Sequence, residues 1–193
     1  MSSLNLDPKT AALILIDLQN AVVGRPTAPY SAADVVARSA QLATRFRELK
    51  STVVLVNVAF RSDFKDFLDV PVDAPSPFNP ASLPSNWSEI VPELNAQPGD
   101  LRITKRQWGA FYGTDLDLQL RRRGVRTIVL GGIATNIGVE STARDAYERN
   151  YHQIFVEDAM AGLSAEAHDF PVKNIFPRIG NLRSTKEVLA ALG

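Results

Sequence analysis

The chain has no cysteine in its 193 residues, which excludes disulfides, thiolate metal sites and thiol nucleophiles together. Histidine is almost as scarce. The only two, His152 and His168, lack a partner at ligand spacing, so both read as surface or core-satisfied side chains and no metal or other cofactor is expected. No charge prevails: 21 Lys+Arg stand against 21 Asp+Glu, and the densest basic run, Arg121-Arg122-Arg123, falls in a helical pattern, so nucleic acid is not an expected partner. Long apolar runs are also missing. Ala11 to Ile16 stops after six residues at Asp17, too short for a signal-peptide core or a membrane span. No membrane partner is expected, and the location reads as cytoplasmic. With 45% hydrophobic and 22% charged residues, close to the globular average, the length suits one domain over 1–193 that buries about 70% of its unfolded surface.

What is present are runs of β-branched and aliphatic residues separated by helical windows. Strands are expected at Ala11–Ile16, Thr52–Ala59, Leu101–Thr104, Val125–Leu130, Gln153–Val156 and Ile179–Arg183. Their continuous apolar character, without period-two alternation, is what a parallel sheet covered on both faces requires. Ser31-Ala-Ala-Asp34 opens a helix to about Lys50. Thr114 precedes one that stops at Gly124, and Ser184-Thr-Lys-Glu187 opens the last. Thr135 or Asn136 is the expected cap of a helix to about Glu148, with Asn150 just past its end, and Ser164 caps a fifth. Between Arg61 and Gly99 seven prolines interrupt all periodicity, a length of irregular chain expected to close over a pocket or to pack on another subunit.

In an open parallel sheet, ligands bind beyond the carboxyl ends of the strands. Three places qualify there: Asp17 after the first strand, Lys105 after the third, and Gly131-Gly132-Ile133-Ala134-Thr135-Asn136 after the fourth. An Asp behind four aliphatic residues is partly buried, which raises its pKa unless a cation stands nearby. Lys105 is the candidate cation. Taken singly, the Asp also reads as a turn cap and the Lys as a solvated strand end. Gly138 falls in the first turn of a helix, where it costs about 1 kcal/mol relative to Ala. It marks either the close approach of a ligand or backbone at the helix N-terminus or relief of packing against a strand. Trp108, Phe111 and Tyr112 wall an apolar pocket, or else serve the core or a subunit contact. There is no G-x-G-x-x-G behind a strand, no Walker A sequence and no G-x-S-x-G.

With these residues in place, the chain resembles the isochorismatase-like hydrolase superfamily from about Ala11 to Leu189. Trp108-Gly-Ala-Phe-Tyr-Gly-Thr-Asp-Leu, Leu130-Gly-Gly-Ile-Ala-Thr-Asn, Glu140-Ser-Thr-Ala-Arg-Asp-Ala and Glu157-Asp-Ala stand in the family's order and spacing. It looks closest to a bacterial subgroup of unassigned substrate reading Ala-Thr-Asn-Ile-Gly-Val-Glu-Ser-Thr-Ala-Arg. The resemblance implies a three-layer α/β/α fold with a six-stranded parallel sheet, an acid–lysine–cysteine triad at its carboxyl edge, and a homo-oligomer, dimer or tetramer. Asp17 and Lys105 fall on the first two triad positions, at the ends of neighbouring strands in the implied fold, and Gly138 stands where the family has its nucleophilic Cys. It also implies a cis peptide at Ile133–Ala134 that turns backbone N–H groups toward a substrate. The small-molecule substrate is expected to touch Ile133, Ala134, Trp108, Tyr112, Asn136 and Gln19.

Two departures redirect the expected function. Without Cys at 138 the thioester route of the family's amidases is closed. The stretch after the second strand, Asn57-Val-Ala-Phe-Arg61-Ser-Asp63, has none of the histidines of nicotinamidase-like members. True isochorismatases resemble this chain in lacking the nucleophile, because vinyl-ether hydrolysis needs a proton donor and a water instead. A cysteine-independent hydrolase acting on a small anionic or vinyl-ether-type metabolite is therefore expected, with Asp17 as general acid. The alternatives are a Ser141 nucleophile, which has no visible base, and a non-catalytic small-molecule-binding protein on a hydrolase scaffold.

Overall fold

A computed structural model of the chain describes residues 4, 6–75, 79 and 82–193. Six strands, β1 (Ala11–Ile16), β2 (Thr52–Val58), β3 (Leu101–Lys105), β4 (Thr127–Ile133), β5 (His152–Ala161) and β6 (Asn181–Arg183), form one sheet in the order β3-β2-β1-β4-β5-β6. Every pairing is parallel. The helices are α1 (Asn20–Val23), α2 (Ala32–Glu48), α3 (Leu116–Arg122), α4 (Glu140–Glu148), α5 (Ala165–Asn174), α6 (Phe176–Ile179) and α7 (Thr185–Ala191). Alternate residues of a strand feed opposite layers. Leu13 and Leu15 pack with Leu42 and Phe46 of α2 and Val188 of α7, while Ala12, Ile14 and Ile16 pack with Leu116 and Leu120 of α3 and Ala143 of α4. Both faces are thus covered, which is why the strands read as unbroken apolar runs.

Helix starts follow the chemistry of their caps. Ser31 Oγ accepts from the Asp34 amide, Ser164 Oγ from the Ala167 amide, and Ser184 with Glu187 forms a reciprocal capping box. Gly124 and Asn150 both have positive φ past helix ends, as expected of C′ residues. The fourth helix differs from expectation. Residues Thr135–Val139 form a π-helical turn that leads into α4, preceded by Ala134 in extended conformation, and neither Thr135 nor Asn136 supplies a side-chain cap. Val125 also belongs to the preceding turn, donating its amide to the Leu120 carbonyl. At the other end β4 runs on to Ile133, because Gly132 pairs with Ile16. β5 continues past Glu157 and Asp158 to Ala161 through a register shift against β4.

The chain moves from β1 outward to β3, then returns to β4 beside β1 and moves outward the other way. The carboxyl ends of β1 and β4 are therefore the topological switch point, where such sheets bind ligands.

Candidate active site

At the end of β1, Asp17 turns into the left-handed region at φ 54°, a conformation that Asp tolerates better than most residues. Its amide still donates to the Val56 carbonyl at 2.9 Å, while its own carbonyl accepts from Gln19 at 2.8 Å. The residue remains buried, 7% exposed. Lys105 lies not on the neighbouring strand but on β3, with β2 between them. That corrects the expected adjacency: two interstrand spacings of ~4.8 Å must be bridged, and the long lysine stem does it. Lys105 Nζ stands 2.7 Å from Asp17 Oδ2 and donates to the Gln107 carbonyl at 3.1 Å.

The second Asp17 oxygen, Oδ1, is buried without a hydrogen-bond partner among the described residues, and so is Asn136 Oδ1. Burial pushes the Asp17 carboxyl above its usual range; Lys105 opposes this by charge and hydrogen bonding without cancelling it. The site therefore holds a buried carboxyl that binds its proton more tightly than a free one, with one oxygen engaged by Lys105 and the other without a partner among the described residues.

Opposite lies the turn after β4. Its Ile133–Ala134 peptide is cis, and the Ala134 carbonyl accepts from both Ile137 and Val139 at 3.1 and 3.2 Å. Gly132, at φ 125°, presses so closely on the Ile16 backbone that no side chain fits. Gly138 is buried. A Cβ there would lie 2.9 Å from Ile16 Cγ2, 3.1 Å from Asp17 Oδ2 and 3.5 Å from the Trp108 carbonyl. The packing reading of this glycine is met, since a side chain here would collide with Ile16 of β1 and crowd the Asp17 carboxyl.

The remaining expected residues fall in different roles. Trp108 and Tyr112 are 62% and 67% exposed, the Trp108 carbonyl lying beside Gly138, whereas Phe111 is core. Gln19 is fully buried, and its amide is taken up by backbone: Nε2 donates to the carbonyls of Val58 (3.0 Å) and Trp87 (3.4 Å), and Oε1 accepts from the Val58 amide at 2.8 Å. It clamps β1, β2 and the irregular stretch together. That stretch lies along the site's edge on its own chain, where Asn20 and Ala21 donate to Glu89 and Trp87, and Val91 to Leu18. Further back, Asp66 accepts from the Arg61 amide and pairs with Arg106 at 2.8 Å. Residues 76–78, 80 and 81 of this stretch lie outside the described residues. Ser141 sits against Gly109.

Sequence reasoning missed Thr142, whose hydroxyl donates to the Gly138 carbonyl at 2.7 Å and accepts from the Ala110 amide at 3.0 Å. Thr135, expected as a helix cap, instead places its Oγ1 2.9 Å from Nδ1 of buried His168. A polar residue in an apolar helix face was the available signal, but Ala110 and His168 lie 32 and 33 residues away in sequence. Among the described residues, no group of three or more His, Cys, Asp or Glu is placed to hold a metal ion.

The model of the isochorismatase domain matches residues 11–187. The chain belongs to the isochorismatase family. It is 50% identical over 189 residues to an uncharacterized isochorismatase family protein, YecD, of Escherichia coli O157:H7, spanning 98% of this chain and all of that one. It is 32% identical over 180 residues to the ureidoacrylate amidohydrolase RutB of Caulobacter vibrioides, spanning 81% of this chain and 79% of that one. An isochorismatase family protein from Burkholderia thailandensis has a similar solved structure, with TM-score 0.92, 49% identity and 97% of each chain covered. In this isochorismatase-family fold, Asp17, Lys105 and the Thr135–Val139 turn meet at the switch point.

Proposed function

We propose that this isochorismatase-family hydrolase works without a cysteine nucleophile, in a subgroup that carries Gly138 at the nucleophile's position, on a small anionic or vinyl-ether-type metabolite. The observation that carries this reading is the buried Asp17 carboxyl, with Oδ2 on Lys105 and Oδ1 unpartnered among the described residues, in a chain with no thiol. Asp17 Oδ1–H protonates the terminal alkene carbon of the substrate. Water adds to the resulting oxocarbenium carbon, and the hemiketal collapses to an alcohol and a keto acid, returning one proton to Asp17. One water is consumed and no redox change occurs. Lys105 stabilises the transient carboxylate, and backbone from Ile133 and Ala134 to Gly138, with Asn136 Oδ1, contacts the substrate. Gln19 acts by positioning. Trp108 and Tyr112 form the mouth, and exposed apolar side chains such as Leu68, Val70 and Val72 are what a second copy would cover in a homo-oligomer.

The likeness to RutB supports a second reading, hydrolysis of a ureide or amide by direct attack of water. Incubating the protein with isochorismate, ureidoacrylate and simple amides in deuterated water, with product detection by mass spectrometry, separates them. The proposed route places deuterium in the methyl group of the keto acid. Ureide turnover without isochorismate turnover establishes the second reading, and ligand binding without any product makes this a binding protein.

A further inference from the structure

The mechanism above leaves one buried titratable cluster unused. His168, on α5, is 1% exposed. Its Nδ1 meets Thr135 Oγ1 at 2.9 Å, and its Nε2 lies 3.5 Å from Glu157 Oε1. Glu157 is anchored in turn, since both its oxygens accept from the Tyr30 hydroxyl, at 3.0 and 3.1 Å, and the Tyr30 ring packs edge-on against the imidazole. The facing His168 imidazole, 3.5 Å away and short of a formed hydrogen bond, and then the Tyr30 hydroxyl hold the Glu157 carboxyl below its usual range, against the opposing effect of burial. Burial, followed by the hydrogen bond to Glu157, pushes Tyr30 up to about 12.

Thr135 opens the π-helical turn that ends one residue past Gly138. Its hydroxyl does not cap that turn but leaves it for the imidazole, so the turn is fastened sideways to α5 and β5. On the reading that this turn walls the active site, we propose that His168 is a positioning residue: Glu157 orients the ring, and its Nδ1 lone pair, accepting from the Thr135 hydroxyl, holds the backbone of Thr135–Val139 against Asp17. An ionised carboxylate facing Nε2 puts the ring proton on that nitrogen and leaves Nδ1 as the acceptor.

The two imidazoles of the chain make this directly visible by nitrogen NMR of the ¹⁵N-labelled protein at pH 8, with His152→Gln removing the exposed ring. The Nε2–H tautomer is expected for His168. Thr135→Val, nearly isosteric, should speed amide hydrogen exchange of residues 136–139 about tenfold while leaving β1 unchanged, and Thr135→Ser should restore it to within about twofold. An Nδ1–H tautomer, or unchanged exchange in Thr135→Val, overturns the proposal. If Thr135→Val does not fold, the tautomer of the unmodified protein decides alone. Expected spectra in a protein that hydrolyses nothing would defeat the hydrolase reading and leave this one standing. Loss of turnover in Thr135→Val with unchanged exchange would instead make Thr135 a direct substrate contact and end the positioning role.

Discussion

Replacing Gly138 by Ala puts two opposing effects on one atom. Alanine is favoured over glycine in a helical turn by about 1 kcal/mol, so on propensity alone the variant gains stability. The added Cβ, however, would stand 2.9 Å from Ile16 Cγ2 and 3.1 Å from Asp17 Oδ2. Ile16 is fully buried, and the methyl in question branches from its own Cβ, so it cannot swing aside. Overpacking of this kind costs about 1–3 kcal/mol, and the net is a loss of about 1 kcal/mol, seen as a melting temperature lower by ~2–4 °C. Ile16→Leu moves the branch one carbon outward at similar volume and costs less than about 1.5 kcal/mol itself. In that background Gly138→Ala should lose less, or gain. A double-mutant cycle by urea denaturation then yields a favourable coupling of about 1 kcal/mol. Gly138→Cys meets the same contact and adds Sγ beyond it. It should therefore impair the native reaction and yield at most weak amidase activity. If Gly138→Ala stabilises the protein by about 1 kcal/mol and shows no coupling to Ile16, the close packing of the turn on β1 is refuted.

Asp17→Asn should abolish turnover of the substrate found, whereas thiol-modifying reagents should leave the unmodified enzyme unaffected; a native activity that survives Asp17→Asn but is lost in Ser141→Ala would move the chemistry to a hydroxyl nucleophile. Because burial raises the Asp17 pKa above 3.8, the folded state holds this proton more tightly than the unfolded chain. Its contribution to stability is complete below 3.8 and is lost as pH rises through the folded value, where kcat should fall too; a pH–rate profile and denaturation at stepped pH check both. Glu157 has the opposite sign. Depressed below 4.5, it contributes fully above that pH and loses its contribution as pH falls through the folded value. Gln19→Leu leaves the Val58 amide and carbonyl without their side-chain partner, at about 1–3 kcal/mol for each group left unpaired, and equilibrium denaturation should show a loss of about 2–6 kcal/mol. Solution scattering should show a dimer or tetramer, and a monomer would remove the homo-oligomer from the proposal.

The sheet, its parallel sense and its layers were legible in the order of residues, because apolar runs such as Ala11–Ile16 and caps such as Ser31 and Ser184 act over a few positions. Asp17, Lys105 and Gly138 were legible as well, each standing out against its own local pattern: a carboxylate behind an aliphatic run, a cation at a strand end, a glycine in a helix. Only the tertiary structure decided what they do to one another. That Lys105 reaches Asp17 across an intervening strand follows from the order β3-β2-β1, which no local propensity encodes. That Thr135 turns its hydroxyl to His168 rather than to its own helix depends on α5 arriving 33 residues later. Gln19 read as a polar residue at the carboxyl edge, open to a ligand, until the chain around Trp87 folded back to take its amide. Hydrogen-bond partners of buried polar groups are set by which segments pack together, and that is a property of the folded chain as a whole.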